Sequence, residues 1–223
     1  MCLIALGWRA RPDFPLVVAA NRDEFHRRAA APAAFWEERS GVLAGRDLQA
    51  GGTWMGVARN GRFAAVTNYR GGTEPSAALS RGSLVVGFLV DEISPGRYVE
   101  KLEKAKSSYS GFNLLVADGE ELWWMSNRDG APRRLDAGVY GLGNLLLDSP
   151  EVDATRKALA ATIASGPAVE DLFGIVGQAR IVNPDYGTRC STALLRAAGG
   201  RTRYAERSFS SSGAELDTVQ FAF

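Results

Sequence analysis

Short apolar runs separated by turn residues fill the first third of the chain. Residues 2–6 and 16–21 are two such runs, with a polar break over 9–13 between them. Residues 57–58 and 63–67 flank Asn60-Gly61, a pair that favours a tight hairpin turn because both residues tolerate positive φ. The pattern predicts two β-hairpins, joined by a loop-rich passage over 27–52 in which glycine and proline recur.

The apolar spacing becomes helical at two places further along the chain. After Ser80, a candidate N-cap, apolar residues recur over 84–89 at the spacing of one helix face. The pair Ser94-Pro95 is typical of the start of a second helix. Residues 153–164 and 169–176 predict another pair of helices.

Strands follow each predicted helix pair. Residues 112–117 and 121–126 bracket Asp118-Gly119, a second hairpin signature. The remaining predicted strands are 139–143, 191–197, 203–209 and 219–223. Because strands and helices come in separate blocks, the order predicts an α+β fold. The most economical packing is a four-layer αββα sandwich of two largely antiparallel sheets, in a single domain over 1–223.

Composition and charge remove several classes of function. The chain has 223 residues, of which 46% are hydrophobic and 23% charged, as in a globular protein with a sizeable core. Its formal net charge is +1, whereas nucleic acid or an anionic membrane calls for a clustered basic excess. No apolar run approaches the roughly 20 residues that span a bilayer, and no basic region precedes the first one. We expect a cytoplasmic protein without nucleic-acid or integral membrane contact.

The few cysteines and histidines restrict the chemistry of any site. The chain has two cysteines, Cys2 and Cys190, and one histidine, His26, and their spacing predicts no zinc site. A structural disulfide is not expected in a cytoplasmic protein. Histidine-based catalysis is not expected either, because the one histidine lies among arginines and no Gly-x-Ser-x-Gly motif is present. The sequence predicts no metal and no resident cofactor.

Cys2 offers a chemistry that needs no histidine. If Met1 is removed, Cys2 carries a free α-amine with a reference pKa of about 7.7–8. That amine can take the proton of the thiol, so that nucleophile and base lie on one residue. The polar group Asn21-Arg22-Asp23-Glu24 lies beside this amine if the first two strands pair. The alternatives are a buried apolar thiol and a solvated charged turn.

Five motifs, in order along the chain, resemble one family. They are Met-Cys-Leu-Ile at the start, Asn21-Arg22-Asp23-Glu24, Gly51-Gly52-Thr53-Trp54-Met55-Gly56, Thr67-Asn68-Tyr69-Arg70 and Tyr186-Gly187-Thr188-Arg189. Over residues 1–195 the chain resembles the NRDE family, the proteins similar to transport and Golgi organisation protein 2. That family resembles the N-terminal-nucleophile hydrolases, especially the cysteine branch of penicillin V acylases and bile salt hydrolases. The resemblance implies the same αββα sandwich.

The resemblance also implies roles for individual residues. Cys2 would be the nucleophile, and Asp23 would match the aspartate near its amine. Asn68 and Asn144 would be the amide donors to the oxyanion, and Arg189 the late arginine that supports the nucleophile. The expected substrate-binding residues are Asn21, Arg22, Trp54 and Tyr69. Taken singly, Asn68 and Asn144 are equally compatible with turn caps, and Arg189 with a surface strand.

Two departures from the acylase pattern leave two functions open. Alanine stands at position 20, where the acylases carry an arginine, and Arg22 is expected on the opposite face of the strand. Cys190 replaces a serine usual in the family. The first function is a cysteine hydrolase acting on an amide or acyl bond of a small molecule. The alternative is a non-catalytic carrier of haem or of an acyl or lipid ligand in the same cleft, since the family has been linked to haem trafficking and lipid homeostasis.

Overall fold

The strands form two antiparallel sheets, and a pair of helices packs against each sheet. The computed structural model describes residues 2–71 and 78–223. The strands are β1 (Leu3–Arg11), β2 (Phe14–Phe25), β3 (Ala30–Trp36), β4 (Arg39–Asp47), β5 (Met55–Ala58), β6 (Phe63–Asn68), β7 (Phe112–Ala117), β8 (Leu122–Ser126), β9 (Arg133–Leu135), β10 (Gly138–Leu142), β11 (Tyr186–Arg196), β12 (Thr202–Phe209) and β13 (Glu215–Ala222). The helices are α1 (Gly82–Val90), α2 (Pro95–Glu103), α3 (Asp153–Ser165) and α4 (Val169–Gly177).

The chain separates into two compact units. The first consists of Met1–Arg28, Ala137–Gly143 and Leu147–Phe223, and the second of Ala29–Asp136 and Asn144–Leu146. The first unit holds a six-stranded sheet in the order β10-β1-β2-β11-β12-β13, and the second a seven-stranded sheet that runs from β3 to β9 in chain order. The predicted α+β class with two antiparallel sheets is confirmed. The single domain over 1–223 stays a prediction.

In the first unit, α3 and α4 pack on one face of the six-stranded sheet. Leu159 of α3 and Leu172 of α4 belong to one buried apolar cluster with Val17 and Ala193 of the strands. A Cβ atom at Gly7 of β1 would overlap the Cδ1 atom of Ile163. Glycine at this position therefore allows α3 to lie close against β1.

In the second unit, α1 is buried against β4 to β7 and is held at its C-terminal end by Arg62. The Arg62 Nε atom donates to the carbonyl of Phe88 at 2.9 Å, and Nη2 donates to the carbonyl of Ile93 at 2.8 Å. Carbonyls at the end of a helix lack partners within the helix. From the turn between β5 and β6, Arg62 supplies such a partner to the Phe88 carbonyl and also holds Ile93, just beyond the helix.

Most of the predicted elements are confirmed. Both hairpin signatures lie between paired strands, β5 with β6 and β7 with β8. Ser94 caps α2 by accepting a hydrogen bond from the backbone N–H of Arg97, and Pro95 is the first helical residue. Strands β1 and β2 extend further than predicted, to Arg11 and Phe25.

The structure corrects two predictions in the second unit. The passage over 27–52 is not a loop, because it contains β3 and β4. Strand β3 is rich in alanine and includes Pro32, so its sequence lacks the branched residues of a typical strand. A proline is tolerated there because β3 lies at the edge of its sheet. The N-cap of α1 is Arg81 rather than Ser80, whose carbonyl accepts a hydrogen bond from the Ser83 hydroxyl.

Glu121 anchors the start of α2 and gives the second unit a pH-dependent contribution to stability. Its Oε1 atom accepts from the N–H of Gly96 at 3.0 Å, and Oε2 accepts from the Trp123 indole at 2.9 Å. Burial alone pushes the pKa of Glu121 upward, but the hydrogen bonds from Trp123 and Gly96, aided by Arg134, hold it below its ordinary value.

We expect Glu121→Gln to lower the free energy of unfolding at pH 7 by about 1 kcal/mol. A carboxylate with a lowered folded-state pKa stabilises the fold above its unfolded value of about 4.3, and that stabilisation is lost as the pH falls through the folded pKa. The difference between variant and wild type should therefore shrink in urea titrations at about pH 3. Glu100→Gln, a change at an exposed position of α2, is the control. An equal loss at both pH values would contradict the prediction.

Candidate active site

The pairing of the first two strands determines the surroundings of Cys2. Strands β1 and β2 are antiparallel, with Leu3 opposite Asn21. Cys2 immediately precedes β1 and lies beside the end of β2, where its half-buried thiol donates to the backbone carbonyl of Asp23 at 3.6 Å. The predicted strand pairing is confirmed, and the polar group of β2 lies next to Cys2. Met1, whose removal the proposed chemistry requires, is outside the described residues.

Asp23 is buried and is held from β11 at two points. Its Oδ1 atom accepts a hydrogen bond from the Thr188 hydroxyl at 2.6 Å. Its backbone carbonyl, which accepts from the Cys2 thiol, also accepts from the Tyr186 hydroxyl at 3.2 Å. Tyr186 and Thr188 thus fix both the side chain and the backbone of Asp23.

An irregularity in β11 sets up these contacts. The register with β2 shifts between Thr188 and Cys190, as in a β-bulge, which redirects the side chains around it. A Cβ atom at Gly187 would lie 2.7 Å from the carbonyl oxygen of Ile181. Glycine is therefore needed where the segment before β11 folds back on the strand.

Arg189, the bulged residue, holds the turn that follows Asp23. Its Nη1 atom donates to the backbone carbonyls of Phe25, His26 and Arg28, at 3.1, 3.2 and 3.0 Å. Burial, followed by the positive charge of Arg22, lowers the pKa of Arg189. The structure thus gives Arg189 a clear contact with the turn over 25–28. Its expected support of the nucleophile stays a prediction.

The expected orientation of Arg22 is wrong. Arg22 pairs with Cys190 and Ala20 pairs with Thr192. Since side chains two residues apart on a strand share a face, Arg22 lies on the same face as Ala20 and not on the opposite one. Continuing the register of β1 and β2 by one residue sets Cys2 opposite Arg22. Arg22 is buried, so a positive charge lies close to the thiol.

The surroundings of Cys2 favour its protonated thiol. Burial, followed by the negative charge of Asp23, raises the pKa of Cys2, and a backbone hydrogen bond with Asp23 and the charge of Arg22 oppose this shift only in part. Burial and the neighbouring Glu206 raise the pKa of Cys190 well above its ordinary value. A thiol is a nucleophile only as its thiolate, so Cys2 requires a base at the moment of reaction.

Asn21 is a structural contact between α4 and the sheet. It is fully buried. Its Nδ2 atom donates to the carbonyl of Val176 at 2.8 Å, and its Oδ1 atom accepts from the Ser191 hydroxyl at 2.6 Å. These contacts join β2, β11 and α4, and the expected role of Asn21 in binding substrate stays a prediction.

The other four predicted site residues belong to the second unit. Asn68 is exposed at the end of β6, and the Asn144 amide donates to its backbone carbonyl at 2.6 Å. The N–H of Arg70 donates to the carbonyl of Asn144 at 2.6 Å. Asn68 and Asn144 therefore lie side by side. Trp54 and Tyr69 are half-buried.

Asn113 is a positioned polar residue that the sequence did not reveal. It is fully buried on β7, and its Nδ2 atom donates to the carbonyl of Leu145 at 2.8 Å and to the Thr67 hydroxyl at 3.3 Å. Asn113 thus ties the segment that carries Asn144 to the strand that ends at Asn68. An asparagine within a predicted strand gives no local signal of such a contact.

No group of three or more histidine, cysteine, aspartate or glutamate side chains in residues 2–71 and 78–223 is arranged to hold a metal ion. Over the same residues, no helix combines the length and the apolar character needed to cross a bilayer.

Comparison with known proteins identifies the family. The model of the family described as Transport and Golgi organisation 2 matches residues 1–185. The chain belongs to this family. A member from Bos taurus, named Transport and Golgi organization protein 2 homolog, is 32% identical over 256 aligned residues, which cover 93% of each chain. The homologue from Homo sapiens is also 32% identical, with the same coverage.

Solved structures similar to this member of the family are hydrolases. A Caenorhabditis elegans orthologue of N-acylethanolamine-hydrolyzing acid amidase superposes with a TM-score of 0.53 and 10% identity, over 87% of this chain and 92% of that one. Conjugated bile acid hydrolase from Clostridium perfringens superposes with a TM-score of 0.54 and 10% identity, over 99% and 97%. At this identity the likeness shows the fold alone. The predicted fold, similar to that of N-terminal-nucleophile hydrolases, is confirmed.

We expect Arg189→Met to loosen the turn over 25–28, because three backbone carbonyls lose their common donor. The free energy of unfolding should fall by about 1–3 kcal/mol. Local opening that costs 1.4 kcal/mol less is tenfold more populated, so trypsin should cleave after Arg27 or Arg28 about tenfold faster. Cleavage fragments are identified by mass. Arg201→Met, in the exposed turn before β12, is the control, and unchanged cleavage in Arg189→Met would contradict the assignment.

Proposed function

We propose that the chain is an N-terminal-nucleophile cysteine hydrolase that cleaves an amide or related acyl bond of a small molecule. The contact between the Cys2 thiol and the backbone carbonyl of buried Asp23 is the observation that carries this proposal most directly. The fold likeness to an amidase and a bile acid hydrolase supports it, since both names describe hydrolysis.

Removal of Met1 supplies the base that the protonated thiol needs. The freed α-amine of Cys2 has a reference pKa of about 7.7–8, close to neutral pH, whereas burial raises the pKa of the thiol. The amine is therefore able to accept the thiol proton while the sulfur attacks. The carboxylate of Asp23 stabilises the resulting ammonium group.

The reaction divides into acylation and deacylation. The sulfur of Cys2 forms a bond to the carbonyl carbon of the substrate, its proton passes to the α-amine, and the carbonyl electron pair moves to oxygen. The tetrahedral intermediate then expels the substrate amine, which takes the proton from the ammonium and leaves a thioester on Cys2. Water attacks the thioester and gives a proton to the α-amine. The acid product leaves, and that proton returns to the thiol.

Asn68 and Asn144 are assigned as the amide donors that stabilise the oxyanion, on the family resemblance. Their mutual contact in the second unit supports treating them as a pair. Loss of one such donor commonly lowers kcat by about 10² to 10³. The residues assigned to substrate binding are Asn21, Arg22, Trp54 and Tyr69. Arg189 is assigned, on the family resemblance, to supporting the nucleophile.

Intact mass and a pair of cysteine variants test this function. We expect the untagged protein to lack Met1, and Cys2→Ala to abolish hydrolysis across a panel of p-nitrophenyl esters and N-acyl amides without changing the unfolding midpoint. Cys190→Ala removes the other cysteine and should retain most of the activity.

Two results would count against the hydrolase. One is retention of Met1 on most of the folded protein, because the thiol then lacks its base. The other is full activity of Cys2→Ala. Retention of Met1 would favour the carrier of haem or of an acyl ligand, which a saturable change in haem absorbance on titration would reveal, whereas full activity of Cys2→Ala would assign the hydrolysis to another nucleophile.

A further inference from the structure

The hydroxyl of Thr188 makes one hydrogen bond to Asp23 and another to Ile181, yet the motif to which Thr188 belongs gives it no role. Its hydroxyl donates to the Oδ1 atom of Asp23 at 2.6 Å and accepts from the N–H of Ile181 at 2.9 Å. The side chain is buried, with 3% of its surface exposed. We infer that Thr188 is a positioning residue that fixes the Asp23 carboxylate for proton transfer at Cys2, an inference that rests on the proposed function.

The direction of the Thr188 proton is determined by its surroundings. A hydroxyl has one proton to donate and two lone pairs that accept. The N–H of Ile181 points at a lone pair, so the single proton is left for Asp23. The backbone N–H of Thr188 donates in turn to the carbonyl of Ile181 at 2.9 Å. Two hydrogen bonds thus join Thr188 to Ile181, and the hydroxyl has little freedom to rotate away from Asp23.

The strand register brings the same two residues together. Thr188 is the partner of Asp23 across β11 and β2, at the last regular pair before the bulge. The side chain of Thr188 therefore needs no long or flexible reach to contact the carboxylate. A short, branched side chain on a paired strand holds its hydroxyl more firmly than a longer polar residue would.

A fixed carboxylate matters for the turnover step more than for binding. The backbone carbonyl of Asp23 contacts the Cys2 thiol, and its carboxylate is assigned to stabilise the ammonium that forms on the same residue. That ammonium exists only after the thiol proton has moved. The hydrogen bond from Thr188 to Asp23 is therefore expected to affect kcat and to leave KM nearly unchanged. Misplacing a catalytic group by about 1 Å costs up to about 10² in rate.

The test compares Thr188→Val with Thr188→Ser. Valine keeps the shape and removes the hydroxyl, while serine keeps the hydroxyl and removes the methyl group. With the best p-nitrophenyl ester or N-acyl amide of the panel, we expect kcat to fall about 10-fold to 100-fold in Thr188→Val, with KM changed by less than about threefold. Thr188→Ser should recover most of the lost kcat.

A matched control separates positioning from stability. Thr202 is another buried threonine of the six-stranded sheet, and its hydroxyl accepts from Arg196 Nε at 3.2 Å. Thr202→Val should lower the unfolding midpoint to a similar extent and leave kcat unchanged. If Thr188→Val does not fold, Thr188→Ala and Thr188→Ser give the same contrast, because they differ by the hydroxyl alone.

The outcomes distinguish this inference from the function on which it rests. If the wild type hydrolyses no compound of the panel, the proposed function and the role of Thr188 both fail, because Asp23 then has no proton transfer to support. If wild type is active and Thr188→Val retains its kcat, only the role of Thr188 is overturned. The same holds if Thr188→Ser is as impaired as Thr188→Val, because the methyl group and not the hydroxyl would then be responsible.

Discussion

Strand β2 lies between β1 and β11, and its register with these two neighbours determines every contact around Cys2. Leu3 faces Asn21 on one side, and Thr188 faces Asp23 on the other. Because strand side chains alternate between faces, a slip of one residue would exchange the two faces of β2. Val17 and Ala19 would then turn away from α3 and α4, where they are now buried. Apolar packing along β2 thus fixes the position of the polar residues at its end.

Two charged side chains are buried at the end of β2, where ionised groups are energetically unfavourable. Arg22 and Asp23 are both buried, and an ionised group without partners in such a place is strongly unfavourable. Strand β11 offsets part of that cost through Thr188, which donates to the Asp23 carboxylate, while Tyr186 bonds to the Asp23 backbone and Arg189 holds the turn beyond. The motif Tyr186-Gly187-Thr188-Arg189 therefore acts as one structural unit. Each residue either contacts the end of β2 or, as glycine, allows a close approach of the chain.

The sequence revealed elements with strong local signals and missed contacts that depend on distant pairing. The turn at Asn60-Gly61 and the cap at Ser94 involve neighbours in the chain, so composition predicted them. Strand β3 escaped prediction because alanine and proline carry little strand propensity. Thr188 and Asp23 lie 165 positions apart, and no local pattern joins them. The face of Arg22, by contrast, followed from strand periodicity alone and was available from the sequence.

A shared fold implies a shared arrangement of paired strands, but it does not imply a shared reaction. At 10% identity to the solved hydrolases, the likeness shows the fold and not the roles of individual residues. The resemblance sets an arginine at position 20 in the acylases, whereas here alanine stands there and Arg22 follows on the same face, two residue pairs closer to Cys2. The positive charge is therefore displaced along the strand and not lost. Because a guanidinium attracts carboxylate or other acidic groups, we expect this displacement to affect the choice of substrate under the proposed hydrolase function.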